Sequence, residues 1–182
     1  MVGTGATLYE IDEGRGFEVS AAMLGANFAG CLIYNEWKSY NKFKQATHQQ
    51  CVAHILRRTR DLRDMASRAG VLFPHAIILL FQVTLASCDD YVARHATCPE
   101  LRECAELLDD SLQALVETPH SNPEHTRFAK HLRNHPSEWF TFLRHVNVDA
   151  TNSRAEQANR LAVVNRKVWG QARESELTLK PY

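Results

Sequence analysis

With 182 residues, 45% of them hydrophobic, the chain has enough apolar material for one domain with its own core, which excludes intrinsic disorder. Its 21 Lys and Arg balance 21 Asp and Glu, so a uniformly basic nucleic-acid binder is excluded while opposed charged patches are not. The longest apolar run, Ala76 to Phe81, has six residues, far from the roughly 20 that a spanning helix needs. Residues 1–30 carry Glu10, Asp12, Glu13, Arg15 and Glu18 and no apolar signal segment, so a cytoplasmic protein without a membrane partner is expected.

In chain order, Thr7-Leu8-Tyr9-Glu10-Ile11 and Phe17-Glu18-Val19 alternate around the turn-rich Asp12-Glu13-Gly14-Arg15-Gly16, which predicts a β-hairpin. Gly30-Cys31-Leu32-Ile33-Tyr34 is a short continuous apolar run that suits a buried strand ending at Asn35. The spacing of Trp37, Tyr40 and Phe43 predicts a short amphipathic helix over 36–46. That of Val52, Ile55, Leu56, Thr59 and Leu62 predicts a second from about Gln50 to Met65. Beyond residue 70 the pattern is helical, and Pro74, Pro99, Pro119, Pro123 and Pro136 are expected to divide it into short helices, with a loop over Thr118 to Glu124. Trp37, Trp139 and Trp169, with Phe140 and Phe142, read as core residues and not as base-stacking platforms. The five cysteines are odd in number and form no C-x-x-C pair, which predicts reduced thiols.

Charge is segregated although it sums to zero. Seven Lys and Arg oppose Glu36 and Asp61 between residues 36 and 63, and nine oppose three acids between 127 and 173. Nine acids oppose Arg94 and Arg102 between 84 and 124. Two basic segments flanking an acidic helical block suit phosphate contacts from the flanks, and equally suit ordinary solvated helices.

Three groupings could carry chemistry. Ser153 and Glu156 have the S-x-x-E spacing of a capping box at a loop-to-helix entry; the alternative for Glu156 is a metal-ligating carboxylate beside Arg154, Arg160, Arg166 and Lys167. His48, Cys51 and His54 stand at i, i+3 and i+6, which spreads the outer two by roughly 120° on one helix, so Cys51 and His54 offer half a zinc site. A packed cysteine with a hydrogen-bonded histidine is the structural alternative. His75, His95, His120, His125, His131, His135 and His145 show no matching spacing. Gly3-Thr4-Gly5 lacks the third glycine of a dinucleotide loop, and no G-x-S-x-G elbow is present.

Taken in order, Gly30-Cys-Leu-Ile-Tyr-Asn35-Glu-Trp37-Lys-Ser-Tyr40, His48-Gln-Gln-Cys51-Val-Ala-His54-Ile-Leu-Arg57-Arg58, and Asp149-Ala-Thr-Asn152-Ser-Arg-Ala155-Glu156-Gln-Ala-Asn-Arg160 with Arg166-Lys167-Val-Trp169-Gly170 resemble the transposases of the insertion-sequence-66 family. Arg15-Gly16-Phe17-Glu18-Val19 and Arg127-Phe128-Ala129-Lys130-His131-Leu132 extend the resemblance over almost the whole chain. The resemblance implies a ribonuclease-H-like α/β core in which two Asp and one Glu hold two Mg2+ or Mn2+ ions for DNA strand cleavage and transfer. It makes Glu156 the third carboxylate, in place of the capping role that its spacing to Ser153 by itself favours.

Asn35 stands where the family has its second Asp, and a neutral carboxamide weakens metal binding there. Glu36 is adjacent, yet would face the other side of a continuing strand. The family's first Asp lies on a strand upstream of Thr7, and Asp12 reads as a turn former; Glu174 to Tyr182 does not match the family's continuation. The expectation is an incomplete ribonuclease-H-like core over residues 1–70, a mainly helical insertion over 71–145, and a returning helix carrying Glu156 over 146–173. Such a chain is expected to be a truncated or decayed transposase catalytic domain, inactive by itself. The rival is a non-catalytic module that binds DNA through Arg57, Arg58, Arg154, Arg160, Arg166 and Lys167, self-associates, or modulates a full-length transposase.

Overall fold

The computed structural model describes residues 14, 16–93, 98–145 and 147–160. Phe17-Glu18-Val19, expected as a strand, opens an α-helix instead, α1 (Phe17–Leu24). The helix formers Ser20-Ala21-Ala22-Met23-Leu24 continue the segment, and three alternating residues bury too little to fix a strand against that preference. The Phe17 ring lies 4.8 Å from that of Phe43. Gly25, at φ +86°, ends the helix with its N–H donating to the Ala21 carbonyl at 2.8 Å, a conformation that a side chain would resist. The other expected hairpin strand, Thr7 to Ile11, lies outside the described residues, as does Asp12.

Strand β1 (Cys31–Tyr34) forms where the apolar run predicts it and stops before Asn35. The connection over residues 35–46 is a 3-10 turn (Lys38–Lys42) in place of the expected amphipathic helix. Its i to i+3 bonds, Tyr40 N–H to Trp37 and Phe43 N–H to Tyr40, tighten the chain enough to drop Phe43 into a fully buried position. Trp37, expected in the core, is 39% exposed because it precedes this turn after the strand has ended.

The connection returns the chain to β2 (Thr47–Gln50), which pairs parallel with β1 in the register Cys31 with Thr47 through Tyr34 with Gln50. Periodicity assigns no strand there, since Thr-His-Gln-Gln is polar. The segment is a strand because its partners lie elsewhere in the chain. Gln50 N–H donates to the Glu138 carbonyl at 2.9 Å, and the Thr141 hydroxyl donates to the His48 carbonyl at 2.6 Å.

Helix α2 (Val52–Met65) follows as expected, two residues later than the periodicity placed it, and buries Val52, Ile55, Leu56 and Thr59 on one face. Then come α3 (Leu72–Ala93), α4 (Cys98–Glu117), α5 (Pro123–Arg133) and the short α6 (Thr141–Arg144). The expected division into short helices does not occur: α3 has 22 residues and α4 has 20. Pro74, Pro99 and Pro123 sit in the first turn of α3, α4 and α5, where the missing N–H would have had no helical acceptor. The loop predicted over Thr118 to Glu124 is present at residues 118–122, and Asn122 caps α5 by accepting the Glu124 N–H at 2.9 Å.

One core joins α2 through α6: Ile55 and Leu56, Ile77 and Phe81, Leu112 and Val116, Phe128 and Leu132, then Trp139 and Phe140, all nearly or fully buried. Trp139, Phe140 and Phe142 are core residues as expected, and the Trp139 indole N–H donates to the Leu132 carbonyl at 3.0 Å. The chain divides into two compact units, 12–152 and the remainder. The core belongs to the first. In the second, residues 153–160 form a helical run. Among the described residues, no helix is long and apolar enough to cross a membrane. The fold is α/β in composition, mostly helical around a small parallel sheet.

Candidate functional site

Asn35 and Glu36 leave the C-terminal end of β1, the edge where parallel sheets commonly present functional side chains. The strand does not continue, so alternation between faces ends at Tyr34. Glu36 takes φ +52°, a left-handed conformation unusual for a residue with a side chain. Its N–H donates to Gln50 Oε1 at 3.2 Å, and Arg58 Nη1 donates to its carboxylate at 3.0 Å. His131 Nε2 also lies 3.0 Å from Glu36 Oε1, at an angle that makes no hydrogen bond. The Arg58 guanidinium lies 5.2 Å from the Phe128 ring centroid. Asn35 itself is exposed.

Behind this pair a second carboxylate is enclosed. Glu138 Oε2 accepts from Gln50 Nε2 at 2.7 Å and from His135 Nδ1 at 3.1 Å, with the Tyr34 hydroxyl 3.3 Å away. Burial alone would raise the Glu138 pKa, but the bonds from His135 and Gln50 outweigh it and hold the carboxyl below its ordinary value. Tyr34 moves the other way: burial, then the Glu138 charge, push its hydroxyl far above the usual range. Burial, helped by Arg58 and His135 against the attraction of Glu36, holds His131 down at about 4, so its ring is neutral at pH 7. The cluster therefore sets a carboxylate held in its ionised form, Glu138, near the neutral imidazole of His131. That arrangement ties the end of the sheet to Glu138 through its Oε2.

His131, His135 and Glu138 were not singled out by sequence reasoning: α5 ends at Arg133, and the turn that follows it, not a helical period, brings His135 and Glu138 beside His131. Among the described residues, no group of three or more His, Cys, Asp or Glu side chains is placed to hold a metal ion. The donors at the end of β1 do not fit a divalent pair: Asn35 offers a neutral oxygen, and the charge of Glu36 is taken up by Arg58.

The histidine–cysteine grouping resolves into separate roles. His48 sits on β2 with Nε2 3.1 Å from the Phe43 carbonyl. Cys51, buried at the N-cap of α2, has Sγ 3.1 Å from His54 Nδ1 and accepts the Asn152 N–H at 3.4 Å. Cys51 and His54 thus meet and His48 does not join them. Cys31, Cys51, Cys88 and Cys104 are free thiols, and burial raises the pKa of Cys31 and Cys88.

Arg57 and Arg58 are exposed on α2, and Arg154 and Arg160 on the helical run 153–160. Glu156 is exposed on that same run, one turn before Arg160. The run opens at Ser153, so Asn152 precedes the first helical residue and the S-x-x-E pair starts one position inside the helix. Glu156 and Asn35 belong to different units. Arg166, Lys167 and Trp169 lie outside the described residues.

No curated protein and no solved structure matches the chain. A family model does, that of the transposase IS66 family, over residues 2–178. That match takes in both the Asn35 and the Glu156 segments, and the chain belongs to the transposase IS66 family.

Proposed function

We propose that this chain is a decayed transposase catalytic domain that binds duplex DNA and does not cut it by itself. The observation that carries the reading is the end of β1, where Asn35 supplies no charge and Glu36 is clasped by Arg58 beside His131. Two-metal strand transfer needs several anionic oxygens around ions roughly 4 Å apart, and Glu156 provides one. Mg2+ or Mn2+ would be the ions of the family site, with Glu156 as a ligand. The parallel β1–β2 pair followed by α2 supports an incomplete ribonuclease-H-like core over residues 1–70. Helices α3 to α6, with no strand among the described residues there, support a helical insertion over 71–145 ahead of the Glu156 segment, 146–173.

The test is a supercoiled plasmid carrying the reading frame and its chromosomal flanks, incubated with the full chain and Mg2+ or Mn2+. No nicking above the protein-free control is expected. Metal-dependent nicking that Glu156→Gln abolishes overturns the reading.

A second reading, a DNA-binding or oligomerising module that modulates a full-length transposase, draws support from the exposed arginines of α2 and of the 153–160 run. The exposed Leu72, Leu79 and Val83 of α3 support self-association. On either reading the place of action is the cytoplasm, at the nucleoid when DNA is bound.

A further inference from the structure

From Leu72 to Cys88, helix α3 has no Asp, Glu, Lys or Arg, in a chain of which 23% is charged. One face of that stretch is core, through Phe73, Ile77, Ile78 and Phe81. The other leaves Leu72 69%, Leu79 48% and Val83 58% exposed, with Ala76 half-buried and Ala86 exposed on the same stripe. A solvated helix face ordinarily carries charge, so an uncharged apolar stripe marks a surface that something covers.

Three features commit the stripe to a second copy of this chain. Positions 72, 76, 79, 83 and 86 step by four and three, the seam of a helix pair, and their side chains are complementary to themselves. Turned antiparallel about a two-fold axis between residues 77 and 78, two copies set Leu72 against Val83 and Leu79 against Ala76. Large then meets small at the centre, and all three exposed large residues are covered. A parallel pair would set Ala76 on Ala76, leaving a gap, and would align the two helix dipoles instead of opposing them. The second feature is a seat: Leu72 and Ala76 line a cavity of about 400 Å³ with Phe73, Leu115 and Pro119, and the antiparallel pair brings Leu79 of the other copy over Ala76 at its edge. The third is charge. His75, Gln82 and Asp89 are exposed along the flank of the stripe. The two-fold faces His75 of each copy with Gln82 of the other and keeps the two Asp89 carboxylates at opposite ends, so no like charges meet. DNA would find no cation on this face.

We propose that the exposed face of α3 is a homodimer interface, in which two copies pack antiparallel with Leu72 against Val83 and Leu79 against Ala76. The proposal deepens the self-association of the second reading above and rests on it, and it needs neither DNA binding nor strand transfer. The seam is about 22 Å long and about 10 Å wide, a contact of a few hundred Å² per copy. A standard interface buries roughly 800 Å² per partner, so the dimer is weak and reversible, with a Kd on the order of 10–100 µM.

The experiment is sedimentation equilibrium of the full chain without DNA, from about 5 µM to about 500 µM. A reversible monomer–dimer equilibrium is expected. Leu72→Lys and Val83→Glu, both at exposed positions and both checked for a native melting curve, are each expected to weaken it about tenfold or more. An equimolar mixture of the two variants is expected to recover to within about threefold of the unmodified chain, because the new charges meet only in this antiparallel register. If a variant does not fold, concentration-dependent amide shifts of the unmodified chain decide, and they are expected along the exposed face of residues 72–86. Dimerisation that neither variant weakens, or shifts confined to other elements, leaves self-association standing and overturns the α3 interface. Two weakened variants that do not recover on mixing overturn the register and with it the proposal. A chain that stays monomeric up to about 500 µM overturns both the interface and the self-association beneath it, while duplex binding, measured separately, is untouched by that result.

Discussion

Gln49 is fully buried, and its carboxamide holds three backbone groups: Nε2 donates to the carbonyls of Gln50 at 2.6 Å and Trp139 at 3.1 Å, and Oε1 accepts the Phe142 N–H at 2.9 Å. Gln49→Leu preserves the volume and strands those groups without water, so a loss of about 2–4 kcal/mol is expected in urea unfolding. A loss under about 0.5 kcal/mol would show that the segment 139–142 is not tied to β2 through this amide. His131 makes a pH prediction. With its pKa lowered to about 4 in the folded chain against about 6.5 unfolded, the unfolded state binds the extra proton between those values. Stability is therefore full above pH 6.5 and declines as pH falls toward 4. Because the ring is partly screened, the decline is on the order of 1–2 kcal/mol. The lowered carboxyl of Glu138 acts in the same direction at still lower pH, since protonating it breaks the bonds from Gln50 and His135. Denaturant midpoints at pH 7 and 5 should differ less in His131→Gln than in the unmodified chain; an unchanged difference would remove His131 from the effect.

At the scale of elements, the helices were legible wherever one face alone carries the burial. Helix α2 buries Val52, Ile55, Leu56 and Thr59 at helical spacing, and its extent agrees with that period to within a turn. Two kinds of element were misjudged for physical reasons. Proline was weighed as a breaker, whereas in the first turn it removes a donor that has no acceptor, so α3 and α4 run on. Strand β2 was hidden because its buried residues are glutamines, which period-based reasoning counts as polar. Helix α5 shows how local chemistry sets an end: Asn122→Ala removes the cap on the Glu124 N–H and should cost about 1 kcal/mol in thermal or urea unfolding, with Asn122→Asp nearly neutral. Equal losses in both variants would mean that the side chain serves the loop and not the helix.

At the scale of the whole molecule, the balanced total charge conceals basic segments on α2 and on the 153–160 run, with acids concentrated between them on α4. If those segments hold phosphates, log Kd against log salt should rise with a slope near 0.9 per phosphate contact. Arg57→Ala, Arg154→Ala and Arg160→Ala should each lower that slope by about 1 in fluorescence-anisotropy titrations of duplex DNA. Arg58→Ala should change binding less, because its guanidinium is already bonded to Glu36 and set against Phe128. Salt-independent binding would sink the electrostatic reading.

By itself the sequence determined the family, β1, the amphipathic α2 and the loop before α5, because ordered motifs and apolar period are local properties that survive in one dimension. Only the tertiary structure decided that Thr47–Gln50 is a strand, that Glu36 turns back onto Arg58 and His131, and that Glu138 is enclosed by Gln50 and His135. It also decided that His120 and His125 share a cavity wall with Phe73. In most of these cases the decisive partner lies far along the chain, and a polar side chain becomes stable in the interior only when that partner arrives to bond it.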